Sequence, residues 1–199
     1  MSPTATTLPA PTFRAETCAA GGDGVEGCRA CVSACPQHAL SARPVPHGIE
    51  IAVDDHACVR CGLCTSVCPT SSLQRAFLPD DELRAAIVAA VAPGRPLLVI
   101  GDHHDHEIAR AERDEWGVLA LPSVLIMDVT AFLVAHRAGA SAVVVTGCTD
   151  CHRDALDRLE AAAAAAGELA GRPGRTVMAS VAAEAMAGLG ALVDRRAGS

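Results

Sequence analysis

Residues 58–69 read C-V-R-C-G-L-C-T-S-V-C-P, four cysteines spaced C-x2-C-x2-C-x3-C and closed by a proline. Thiolates are soft anionic ligands, and this spacing suits iron–sulfur cubes. The reason is reach. A tight loop can turn Cys58, Cys61 and Cys64 toward three irons of one cube, while Cys68, carried onward by Pro69 and a helical turn, points away to a second. Gly62 would let the backbone curl close to the inorganic sulfides. Zinc ligands more often come as two separated C-x2-C knuckles, so iron–sulfur chemistry fits the run better.

Residues 28–36 read C-R-A-C-V-S-A-C-P, the same run without its first cysteine, because position 25 is Val. Ten residues before Cys28 stands Cys18, followed by a stretch holding Gly21, Gly22, Gly24 and Gly27. Such glycine density predicts a flexible inserted loop. Cys18 then either reaches across it as a ligand or is a spare thiol. The two runs form an internal repeat: Cys35-Pro36-Gln37-His38-Ala39-Leu40 parallels Cys68-Pro69-Thr70-Ser71-Ser72-Leu73. Alternation at Ile49 to Val53 predicts a half-buried strand before the second run, and Phe13 to Glu16 is a weaker counterpart before the first.

Together these features resemble the bacterial-type two-[4Fe-4S] ferredoxin domain, over roughly residues 12–78. The resemblance implies an α+β ferredoxin-like fold with two [4Fe-4S] clusters. One would be held by Cys58, Cys61, Cys64 and Cys35, the other by Cys28, Cys31, Cys68 and Cys18.

The elements that follow, from Pro79, read differently. A helix capped by Asp80 or Asp81 runs through Leu83, Ile87, Val88 and Val91 and stops at Pro93-Gly94. Short apolar runs at 97–100, 118–121, 142–146 and 176–179 predict strands, alternating with helices at 107–116, 128–138, 149–169 and 181–193. Apolar strands alternating with helices imply a parallel sheet of about four strands, covered on both faces. The expected organisation is a flexible 1–11, a two-cluster domain at 12–78 and an α/β domain at 79–199.

Functional groups in such sheets gather at the carboxyl ends of the strands. Two loops there carry chemistry: Gly101 to His106, with His103, His104 and His106, and Gly147 to His152, with Cys148 and Cys151. They could form a two-Cys, two-His metal site, a redox-active dithiol at a helix start, or no bound site at all. The run Gly139 to Cys148, with Asp150-Cys151-His152, resembles the delta-subunit domain of methyl-viologen-reducing hydrogenase. That resemblance implies a docking role in passing electrons to a partner. Only two of the family's cysteines have counterparts here, so the domain is expected to be a degenerate relative.

Composition narrows the function. Half of the 199 residues are apolar, yet the only aromatic residues are Phe13, Phe77, Phe132 and Trp116. All sixteen basic residues are arginine and the net charge is −7, with no basic stripe, which argues against a nucleic-acid binder. The apolar runs fall far short of the about 20 residues of a membrane span. Residues 1–15 lack an apolar core behind a cationic start, which predicts no secretory signal and a cytoplasmic home. Ten cysteines in a reducing compartment point to metal or redox chemistry rather than disulfides. No nucleotide-binding glycine fingerprint or nucleophile elbow is present, so independent catalysis is not expected. The expected function is single-electron relay with a redox partner protein or oxidoreductase complex. The alternative is a non-redox assembly or sensing module built on a structural metal.

Overall fold

Three cysteine pairs, Cys28 and Cys61, Cys31 and Cys64, Cys35 and Cys68, share one spacing, 33 residues, and the backbone repeats with the same period. The computed structural model describes residues 8–20, 27–46, 48–101, 116–147 and 153–180. The chain divides into two units, Met1–Asp80 and Asp81–Ser199.

In the first unit, strand β1 (Thr12–Phe13) pairs antiparallel with β4 (Leu73–Gln74), and β2 (Leu40–Val45) pairs antiparallel with β3 (Gly48–Val53). Between them lie two short helices, α1 (Ala30–Ala34) and α2 (Leu63–Ser66). The repeat is visible in the turns. His38 and Ser71, each three residues after the last cysteine of its run, take left-handed φ values of 51° and 53°. Arg60 (φ 57°) stands where the first run has Gly27 (φ 106°). The left-handed backbone thus recurs at matching positions of the two runs. Leu40 and Leu73, also 33 apart, open β2 and β4 and are both buried.

The core of this unit is small. Its main cluster is Cys35, Ala39, Leu40, Ile51, Cys64 and Leu73, with Phe13, Cys31, Val32 and Val53 among those packed against them, and Ala20, Ala34 and Leu63 are buried as well. Two of the six cluster members are cysteines. The alternation expected in β3 is clear only at its centre, with Ile51 buried and Glu50 exposed, while Ile49, Ala52 and Val53 are all half-buried. Glu50 pairs across the hairpin with Arg43 at 3.1 Å, an exposed pair that contributes little to stability. Sequence patterning did not single out β2, whose Arg43 and Pro44 read poorly as a strand. It also overextended β1: Thr12 and Phe13 are extended, but Ala15–Thr17 forms a 3-10 turn. A two-residue strand leaves no room for alternation to be read.

The second unit is a four-stranded, wholly parallel sheet in the order β6-β5-β7-β8, with β5 Leu97–Gly101, β6 Gly117–Leu121, β7 Val143–Gly147 and β8 Thr176–Ser180. Helices α3 (Asp80–Ala90), α4 (Val129–Arg137) and α5 (Arg153–Leu169) accompany it. The expected strands are all present. Leu97, Leu98, Val99, Ile100, Val143, Val144 and Val145 are fully buried, as the continuous apolar runs of a sheet covered on both faces require. Asp128 caps α4, its Oδ1 accepting from Ala131 N–H at 2.7 Å, and Gly139 (φ 106°) follows the helix end. On α3, Leu83 and Ile87 are buried at i and i+4, and Val91, just past its end, at i+8, whereas Val88 is 55 % exposed. One residue on from Ile87, it is rotated about 100° off the buried face. The expected helix at 107–116 overran at its end, since Trp116 is not helical and leads directly into β6; the rest of it, and the expected helix at 181–193, lie outside the described residues. Among the described residues, no helix is long and apolar enough to cross a membrane.

Candidate metal centres

The eight cysteines of the first unit are free thiols, and they gather around two cavities. The first is lined by Cys35, Cys58, Cys61 and Cys64, together with Pro36, Leu40, Arg60, Gly62, Thr65, Arg75 and Phe77 among others. The second is lined by Cys18, Cys28, Cys31 and Cys68, with Phe13, Ile51, Thr70, Ser72 and Leu73. In each, three thiols come from one stretch of chain and the fourth from the other run. The partition coincides with the two ligand sets that the ferredoxin resemblance implies.

Local structure explains how the thiols turn inward. Gly62 takes φ 77° at the start of α2, so the chain bends sharply between Cys61 and Cys64. Only glycine adopts this geometry without strain. Arg60 clips the same loop. Its Nε donates to the Leu8 carbonyl at 3.0 Å, Nη1 donates to the Asp55 carbonyl at 2.8 Å and to that of Cys58, and Nη2 pairs with Asp55 Oδ1 at 2.6 Å. Before it, Asp54 Oδ1 accepts from His56 N–H at 2.9 Å and Ala57 N–H at 3.2 Å. The Asp54-Asp55-His56 stretch is thus a turn that delivers Cys58.

Backbone N–H groups point at the sulfurs. Ala39 N–H donates to Cys35 Sγ at 3.2 Å. Cys61 accepts from the backbone of Leu63, and Cys31 from that of Val32. Burial pushes the Cys68 thiol up, but hydrogen bonds from the backbones of Leu73, Thr70 and Ser72 and from the Thr70 hydroxyl outweigh it, and its pKa ends lowered. The other shifts run upward. Burial, then the neighbouring Cys61, Cys58, Cys35 and Cys31, pushes the Cys64 thiol to about 12. Burial likewise raises Cys61, helped by Cys35 and Cys58, and raises Cys31, helped by Cys68 and Cys18. Crowded, buried thiolates repel one another and lack solvation, so they need cations among them.

This donor set fits a [4Fe-4S] cube. The ligands are thiols only, four to a cavity, with N–H donors to the anionic sulfurs. A single zinc ion fits less well, since it requires its ligands within about 2.3 Å of one point. Among the described residues, no group of three or more Cys, His, Asp and Glu side chains is arranged to hold a single metal ion. Cys18 lines the second cavity, although residues 21–26 of the loop behind it are not among those described. Sequence reasoning did not anticipate Arg75, a buried cation lining the first cavity. No spacing signal marks it, because its placement depends on the β1–β4 pairing.

In the second unit, β5 and β7 are adjacent and the chain leaves them in opposite directions along the sheet, β6 lying beyond β5 and β8 beyond β7. Their carboxyl ends therefore flank a topological switch point. The loops that carry His103, His104, His106, Cys148 and Cys151 lie outside the described residues.

No curated protein and no solved structure matches the chain. Residues 26–72 match the family model described as a 4Fe-4S dicluster domain, a segment that takes in seven of the eight N-terminal cysteines and leaves out Cys18. This part of the chain is similar to that family, which supports a ferredoxin-type iron–sulfur domain at the N-terminal side of the molecule.

Proposed function

We propose that the protein relays single electrons through two [4Fe-4S] clusters, as a subunit or partner of a cytoplasmic oxidoreductase complex. The observation that carries this proposal is the sorting of eight thiols into two cavities of four, each completed by a cysteine from the opposite run. When bound, such clusters supply reversible one-electron chemistry without a proton or substrate step.

The chain's own residues do the rest. Cys35, Cys58, Cys61 and Cys64 hold one cluster, and Cys18, Cys28, Cys31 and Cys68 hold the other. Leu40 and Phe77 line the first cavity and Phe13, Ile51 and Leu73 the second, limiting water beside the thiolates. The N–H donors from Ala39, Leu63, Val32 and the Thr70 to Leu73 stretch stabilise charge on sulfur. Cys35 follows α1 and accepts from Ala39, whereas Cys31, on the same helix, serves the other site. A five-residue helix thereby links the two centres.

Charge suits a docking role. Residues 1–78 carry five arginines and six acids, a formal −1. Each filled oxidised site adds −2, taking this part to about −5. Such acidity favours a fast, weak, salt-sensitive encounter with a basic patch on a redox partner. The parallel α/β unit, the degenerate hydrogenase-delta-like domain that its sequence resembles, is proposed to take part in docking as well.

The test is anaerobic purification of the full chain followed by iron and acid-labile sulfide analysis and spectra before and after dithionite. About eight of each per chain, bleaching on reduction, supports relay. Zinc without sulfide would replace this proposal with a structural scaffold.

A further inference from the structure

The two cavities are not electrostatically alike. Both are lined by four cysteines, but the first also has Arg60 and Arg75, whereas no described residue lining the second is charged. The position 33 residues before Arg75 in the repeat is Ala42. Arg75 is therefore a departure from the internal symmetry, confined to one site.

Its side chain is only 4 % exposed. Nε donates to the Leu78 carbonyl at 3.2 Å, and Nη1 to Thr65 Oγ1 at 3.3 Å, beside Cys64. Nη2 pairs with the carboxylate of Asp80. That pairing is lopsided, because the Asp80 side chain is 54 % exposed. Water screens the anion while the guanidinium stays at the cavity wall, where the dielectric is low. Arginine does not shed its proton to escape such a place. The cavity therefore faces a permanent net cation. Arg60 adds to it in the same sense, although its guanidinium is committed to the Leu8, Asp55 and Cys58 carbonyls and to Asp55.

We infer that Arg75 is a positioning and tuning residue that raises the reduction potential of the Cys35–Cys58–Cys61–Cys64 site relative to the same site without it. The inference rests on the proposed binding of clusters in these cavities. Adding one electron makes a bound centre more negative by one unit, and a fixed cation at the wall stabilises that state over the oxidised one. Burial of Cys35 and Cys64 works the other way, by disfavouring added negative charge. Arg75 offsets that cost at the more buried of the two sites.

The test uses the full chain, reconstituted anaerobically, with iron and sulfide counted first and potentials then measured by redox titration followed by electron paramagnetic resonance. Arg75→Gln should move one reduction step to a more negative potential and leave the other in place. Asp80→Asn, at an exposed carboxylate whose charge water partly screens, should move that same step to a more positive potential, by less than Arg75→Gln moves it. Arg75→Lys should restore most of the wild-type value. Opposite signs distinguish charge from packing, since loosening the cavity wall would move the step the same way in both variants. Shifts of the same sign, or none in either variant, would overturn the inference. If Arg75→Gln takes up no cluster, Asp80→Asn decides alone, and an unmoved step there is a contradiction. A wild-type protein that binds no sulfide would instead defeat the functional proposal, and this inference with it.

Discussion

Cys64 and Cys68 stand four positions apart, on and just after one short helix, yet they line different cavities. Cys64 faces Cys35, Cys58 and Cys61, and Cys68 faces Cys18, Cys28 and Cys31. The same divergence separates Cys31 from Cys35 in the first run. Each helix thus supplies both sites, and loss of a thiol should damage the site it lines rather than the run it belongs to.

Cys35→Ala and Cys58→Ala should accordingly remove the same half of the iron, and the double variant should lose no more than either single one. Combining Cys35→Ala with Cys28→Ala, neighbours in sequence, should instead deplete both sites. Iron analysis with paramagnetic resonance of the remaining signal checks this. Additive loss in the Cys35/Cys58 pair would break the assignment.

Removing the iron should unfold the first unit and spare the second. Among the described residues, the buried apolar side chains of the first are mostly small, four of them large aliphatics (Leu40, Ile51, Leu63 and Leu73) and the rest alanines and two cysteines, whereas the second buries Phe132, Leu97, Leu98, Ile100, Leu121, Ile126 and others almost completely. Small domains with so little core lean on their metal for stability. Hydrogen exchange after anaerobic chelation should show amide protection lost from β2 and β3 and kept in β5 and β7.

Gly117→Ala should destabilise the second unit by about 1–3 kcal/mol, the cost of overpacking a tight site. A Cβ at Gly117 would sit 2.2 Å from the Ala90 carbonyl oxygen, at the end of α3. Chemical denaturation followed by helical circular dichroism measures the change, and the iron content should stay at its wild-type value.

His136 gives the second unit an acid-sensitive element. It is 2 % exposed, Nε2 lies 3.1 Å from Thr176 Oγ1, and Nδ1 has no partner among the described residues. Burial, then the positive charge of Arg172, lowers its pKa. The unfolded chain binds the proton more readily than the folded one, so this contribution to stability is intact above the unfolded value of about 6.5. It falls as pH drops below that, by at most about 1.4 kcal/mol per pH unit, until the folded histidine also titrates. Thermal melts from pH 8 to pH 5 should show the decline, and His136→Gln should flatten it.

Much of this architecture was legible in sequence because the informative features are local. The C-x2-C spacing, the proline after Cys35 and Cys68 and the glycine at position 62 each act within one loop. The buried strands β5 and β7 announce themselves as unbroken apolar runs. What was not legible depends on distant partners. The pairing of β1 with β4 joins residues about sixty positions apart, and β2 holds its strand through Leu40 and the hairpin despite Pro44. The order β6-β5-β7-β8 follows from crossovers, not from any one segment. Arg75 was missed because a long side chain reveals its destination only once the fold is known.

The most direct measurement is a count of iron and acid-labile sulfide on the full chain, reconstituted without oxygen, alongside its visible spectrum. Two bound cubes predict a brown protein with about eight iron and eight sulfide per chain, losing colour with dithionite. A folded, colourless protein free of sulfide would contradict the account at its root.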